Sequence, residues 1–145
     1  MLYGGNSLVW WETPLSSGAY KNFSITEGSW KNDTFSVLID CVREQDDHWE
    51  QWECSINKTV WVRVIADEFY EAGIELPKLP NGPFRAPFFR ITRSSHTPVY
   101  EELLKTTGVM KSKAADQIRE YLVSSMGNQV HFLAMEEPVF RRLAN

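Results

Sequence analysis

Cysteine is scarce in this chain: 145 residues carry two, Cys41 and Cys54. They are too few for a disulfide scaffold and match no zinc-ligand spacing. The simplest reading makes them core thiols in a reducing compartment, with a cross-strand disulfide as the minority case. Long hydrophobic runs are missing too, so no segment reads as a membrane span. The first residues carry neither the basic nor the apolar part of a secretory leader. The expectation is a cytoplasmic protein with no membrane partner. Asn-x-Ser/Thr triplets at Asn22, Asn32 and Asn57 are the contrary sign, and turns rich in Asn, Ser and Thr produce such triplets by chance.

The catalytic templates are absent as well. There is no phosphate-binding glycine loop, dinucleotide fingerprint, H-E-x-x-H pair or nucleophile elbow. Ser94-Ser95-His96 reads as a polar loop with a helix cap, because neighbours in a chain rarely point at one another. Asp46-Asp47-His48 with Glu50 lacks calcium-loop spacing and reads as a solvated turn. His131 sits in an apolar strand, where a hydrogen-bonded core histidine is commoner than a ligand. No catalytic, metal or cofactor residue is therefore assigned, and the expectation is a protein that is not an enzyme.

Acidic residues are missing from one long stretch, residues 76–100. It holds Lys78, Arg85, Arg90 and Arg93 interleaved with Phe84, Phe88, Phe89 and Tyr100, and five of the seven prolines. Charge is divided around it. The net charge is −4, but residues 1–76 carry −8 and residues 77–145 carry +4. An acidic total argues against a purely electrostatic nucleic-acid binder, while the asymmetry leaves room for a local basic face.

What is present in quantity is aromatic: six Trp, eight Phe and five Tyr, more than a small core needs. Some rings should lie partly exposed, against a partner or a base. With 43% apolar and 23% charged residues, the whole chain reads as a single globular domain.

In chain order, residues 8–11 read as a short edge strand and residues 20–26 as an alternating one. Glu27-Gly28 and Lys31-Asn32-Asp33 read as turns. Residues 34–44 alternate strongly, with Phe35, Val37, Ile39 and Cys41 on one face. Residues 49–56 return, and pairing Cys41 with Cys54 puts both apolar sets on one side. Asn57-Lys58 then turns the chain into a third meander strand, residues 59–66, with Val60, Val62 and Val64 inward. Residues 67–73 suit a helical turn or two, and residues 87–92 a further strand. Thr97-Pro98 opens a helix that Gly108 ends, and Ser112 caps a second over 113–125 with a stripe of Ala114, Ala115, Ile118, Tyr121 and Leu122. Residues 129–135 form a last strand and residues 138–143 a terminal helical turn.

The fold expected is α+β: an antiparallel sheet of five or six strands, or a partly open, OB-like barrel, with two C-terminal helices. Two functions fit. One is a protein-binding inhibitor, adaptor or immunity-type partner, with Trp10, Trp11, Trp30, Trp49, Trp61, Asp46, Asp47 and Glu50 on an acidic sheet. The other is single-stranded nucleic-acid binding through Lys78, Arg85, Phe88, Arg90 and Arg93. Lys111, Lys113 and Arg119 would join from a helix-turn-helix outline. The sequence also permits a homo-oligomer.

Overall fold

The structure, a computed structural model, describes residues 6–66, 86–93, 119–125 and 128–143. The described side chains omit those of Asn6, Ser7, Val60, Trp61, Ile65, Ala66, Thr92 and Arg93. Nine strands run through the described residues: β1 (Asn6–Trp10), β2 (Tyr20–Lys31), β3 (Thr34–Arg43), β4 (Trp49–Ile56), β5 (Thr59–Ala66), β6 (Phe88–Arg93), β7 (Arg119–Ser124), β8 (Asn128–Ala134) and β9 (Val139–Arg142). They form two antiparallel sheets, one ordered β1-β6-β7-β8-β5 and the other β2-β3-β4-β9. The inner faces share one core. Phe23, Ile25, Phe35, Val37, Ile39, Cys41, Cys54 and Ile56 come from the four-stranded sheet, and Phe88, Tyr121, Val123, Val130, Phe132 and Ala134 from the five-stranded one. Alternation of apolar and polar residues along the strands is what lets two sheets bury one face each.

The expected α+β fold, whether one sheet or an OB-like barrel with two C-terminal helices, is thereby corrected: the described residues are all strand and turn, with no helix. The helix expected over 113–125 gives way to β7. Tyr121 and Val123 face the core there, and Glu120 and Leu122 the opposite side. The stripe Ile118, Tyr121, Leu122 fits a helix on paper. Pairing with β6 on one side and β8 on the other satisfies the backbone of a Tyr- and Val-bearing segment better. The terminal helical turn likewise becomes β9, which adds Phe140 and Arg142 to the edge of β4. The segments expected as residues 67–73 and 97–108 lie outside the described residues.

The meander is corrected too. Asn57-Lys58 carries the chain from one sheet to the other, and β5 pairs with β8 rather than β4. Lys58, at φ 49°, makes the bend. Val62 packs against the core as expected, while Val64, in phase with it and opposite Val130, stands 53% exposed on that edge strand. Glu27-Gly28 is not a turn but lies within β2, whose hairpin closes at Asn32-Asp33. The β3–β4 register is tighter than expected: Cys41 faces Glu50 and Cys54 faces Val37. The change keeps the same residues inward because it shifts the pairing by an even number. It leaves the cysteines four strand positions apart, roughly 13 Å, beyond the ~7 Å Cα separation a disulfide can bridge. Both are buried free thiols.

β1 is an edge strand, as expected, and pairs with β6. Trp11 extends the pairing by donating its N–H to the Phe88 carbonyl at 3.1 Å. A second apolar cluster of Leu8, Phe89, Ile91 and Leu122, with Trp10 beside it, lies on the other face of the five-stranded sheet.

Candidate functional site

The expected site residues separate into different places. Trp11 is buried, which corrects its assignment to an exposed surface. Its ring meets Tyr121 at 4.6 Å, Phe140 at 5.5 Å, Phe88 at 6.0 Å and Phe132 at 6.3 Å between centroids. Trp10 is half-buried and stacks on Phe89 at 5.1 Å. Phe88 faces the core with no exposed surface, so it cannot offer a ring to a base. Arg90 is exposed on β6 and Arg119 on β7. Trp61 and Arg93 lie on β5 and β6, with side chains outside the described part; Lys78, Arg85, Lys111 and Lys113 lie outside the described residues altogether.

Glu50 is the second correction: it is 1% exposed, not a solvated turn acid. Its even position on β4 points it inward beside Trp52, at one end of the core. Oε1 accepts from Trp52 Nε1 at 3.2 Å and Tyr20 Oη at 3.4 Å. Arg43 Nε lies 3.3 Å from Oε2, and Arg142 Nη1 lies 3.9 Å from Oε1. A buried carboxylate persists when cations and donors surround it, and these come from four strands, β2, β3, β4 and β9. Burial, followed by the Glu50 charge, raises the Tyr20 hydroxyl pKa above its usual value.

Directly outside this buried carboxylate is the one place where expected site residues do converge. The turn between β3 and β4 is tied by Asp47 N–H to the Arg43 carbonyl at 2.9 Å and Arg43 N–H to the His48 carbonyl at 2.8 Å. Asp47 takes the left-handed conformation at φ 56°, which Asp tolerates better than most residues. Asp46 accepts from the His48 N–H at 3.1 Å and from Arg43 at 3.1 and 2.6 Å. The His48 N–H, then Arg43, hold the Asp46 carboxyl below the usual range. Lys21 Nζ reaches Asp47 at 2.6 Å, and that carboxylate raises the lysine's pKa. Trp49 follows, 50% exposed at the start of β4 and opposite Val42.

The corner is thus a tryptophan on a braced turn. Around it Asp40, Glu44, Asp46 and Asp47 outnumber Lys21 and Arg43. Trp30 does not belong to it. It is 53% exposed on the tilted stack it makes with Phe35, at the other end of the sheet. Phe35 pairs with Ile56, seven residues along β4 from Trp49, so about 23 Å of strand separates the two positions.

A buried polar pair that sequence reasoning missed lies on the outer face of the five-stranded sheet. Glu120 Oε2 is 2.7 Å from His131 Nε2, both residues nearly inaccessible. The reading of His131 as a hydrogen-bonded core histidine holds. Glu120 was hidden because its segment reads as a helix, where it would face solvent. Its neighbours Tyr121 and Leu122, both buried, are the signal that could have exposed it. Among the described residues no group of three or more His, Cys, Asp or Glu is placed to hold a metal ion. Among the described residues no helix is long and apolar enough to cross a membrane. No family model, curated protein or solved structure matches the chain.

Proposed function

We propose that the chain is a non-enzymatic binding protein that docks another protein at the β3–β4 corner. The observation that carries this reading is Trp49, half exposed on a strand, next to a hydrogen-bonded acidic turn. An aromatic ring fixed by its backbone loses little freedom on binding, which is why such rings dominate interface energetics. The excess of carboxylates around it suits a partner that presents a basic rim around an apolar slot. An inhibitor, adaptor or immunity-type role would use this geometry. A cytoplasmic setting belongs to the same reading and rests on cysteine usage: two separated core thiols and no bridge.

The nucleic-acid alternative is less favoured, because Phe88 and Phe89 are turned into apolar clusters and leave Arg90 without the stacking partners first expected for it. The test compares capture of a partner from the source cell by the wild-type protein and by Trp49→Ala. Once the partner is identified, its dissociation constant should rise more than about tenfold in Trp49→Ala and stay unchanged in Trp30→Ala. In parallel, single-stranded oligonucleotide should leave tryptophan fluorescence unchanged at low salt. Saturable, salt-sensitive quenching would transfer the function to the basic segment.

A further inference from the structure

Strand β2 has β3 on one side and no neighbour on the other among the described residues. An open edge invites pairing with another chain, and proteins usually blunt it. The first part of β2 is blunted. Register shifts interrupt it between Lys21 and Ser24 and between Ile25 and Glu27, and Asn22 sits at φ 55°. Ile25, which faces the edge, has both its backbone groups occupied: its N–H donates to Ser125 Oγ at 3.2 Å and its carbonyl accepts from Asn128 Nδ2 at 3.3 Å.

From Glu27 to Lys31 these devices stop. The five residues Glu27-Gly28-Ser29-Trp30-Lys31 pair regularly with β3 and are all exposed. The two-residue turn Asn32-Asp33 makes Lys31 and Thr34 a hydrogen-bonded pair. Alternation along an antiparallel ladder then turns the backbone N–H and carbonyl of Gly28 and Trp30 away from β3, toward the open edge.

This five-residue sequence is complementary to itself when reversed. A two-fold axis through Ser29 would set Glu27 opposite Lys31, Gly28 opposite Trp30, and Ser29 opposite its own copy. Gly28 and Trp30 are the residues whose edge groups are open, so that register exchanges hydrogen bonds at the right positions. It also sets the half-exposed Trp30 ring beside Gly28, at the edge of the Phe35 ring that covers this glycine. The Phe35 Cζ already lies 2.8 Å from where a Gly28 Cβ would stand. Neither Glu27 nor Lys31 joins an ion pair among the described residues, so both charges await an answer. Moving the axis by one residue in either direction loses the Glu–Lys match.

We propose that β2 pairs with β2 of a second copy of this chain, antiparallel about Ser29, joining two four-stranded sheets into one of eight strands. Such an interface is isologous, as closed two-fold dimers require. It is built from a short strand pair and is therefore concentration-dependent.

Sedimentation equilibrium of the full chain from ~1 µM to ~1 mM tests it. Wild-type protein should pass from monomer to dimer within that range. Glu27→Lys sets lysine against lysine twice in the dimer, and Lys31→Glu sets glutamate against glutamate. Each variant alone should weaken dimerisation roughly tenfold or more. A one-to-one mixture of the two should recover it, because every facing pair then has opposite signs. Both side chains are exposed, and an unfolding midpoint equal to wild type in each variant separates lost pairing from lost fold. A wild-type protein that stays monomeric throughout, a dimer indifferent to either substitution, or a mixture that fails to associate would each overturn the proposal.

Discussion

Cys41 and Cys54 tie the core to pH. Burial, followed by the charges of Glu50 and Asp40, pushes the Cys41 thiol up to about 12. Burial raises Cys54 further still, with Glu53 adding to it, and raises the hydroxyls of Tyr20 and Tyr121 in the same direction. In the unfolded chain thiols ionise near 8.5 and tyrosines near 10. Above those values the unfolded state binds fewer protons than the folded one, so stability falls as pH rises. The contribution is complete below about pH 8.5 and is lost progressively toward the folded value of about 12. Urea unfolding from pH 7 to 11 should show the midpoint fall beyond pH 9, with a shallower fall in Cys41→Ala. A thiol reagent at pH 8 should label neither cysteine until the protein is denatured. Core thiols were legible in the residues themselves, since each cysteine sits in phase with apolar neighbours. The burial of Glu50 was not. Asp46, Asp47 and His48 beside it read as solvent-facing, and its partners Tyr20 and Arg142 are remote in sequence.

At the level of elements, β2 shows how a single glycine sets a surface. Gly28 lies opposite Val37, diagonal to Phe35, and the Phe35 ring fills the space a side chain would take. A glycine inside a strand ordinarily costs about 0.5–1 kcal/mol relative to alanine. Here the comparison reverses, because Phe35 is buried and its ring must move to admit a methyl group. Gly28→Ala should destabilise by about 1–3 kcal/mol in chemical denaturation. Adding Phe35→Leu should remove most of that penalty, which a double-mutant cycle would read as coupling between the two sites. Strands β3 and β4 were legible because their apolar residues alternate, and β1, β6 and β8 because short apolar stretches are bounded by turn or proline signals. Strand β7 was not, because Ile118, Tyr121 and Leu122 recur at helical spacing, and the alternation of Tyr121 and Val123 is too short to compete with it. The Glu27-Gly28 pair looked like a turn because turn residues were weighed without knowing that a ring covers the glycine.

Across the whole molecule, the sequence pattern located inward faces but not which sheet each strand joins. Period-two alternation states that a strand has an apolar side. It contains nothing on the partner strand, which is why β5 was assigned to the meander although it pairs with β8. Trp11 shows what joins the two sheets. Its ring packs on Phe88, Tyr121 and Phe132 of one sheet and on Phe140 of the other, and its Nε1–H donates to Glu137 at 3.4 Å. From sequence it was grouped with Trp10 and Trp49 as partner-facing, since a short apolar run does not say which of two adjacent rings is buried. The structure separates their roles, and the separation can be measured. Trp11→Ala leaves a cavity between the sheets and should cost about 3–5 kcal/mol, while Trp11→Phe keeps the ring contacts and should cost less. Trp49→Ala removes a ring already half in solvent and should stay within about 1 kcal/mol of wild type, even though it is the substitution expected to weaken docking more than about tenfold. Urea denaturation of the three variants checks this ordering. A Trp49 variant as unstable as the Trp11 one would mean that the corner is held up by its tryptophan, and its surface would then lose its claim to a binding role.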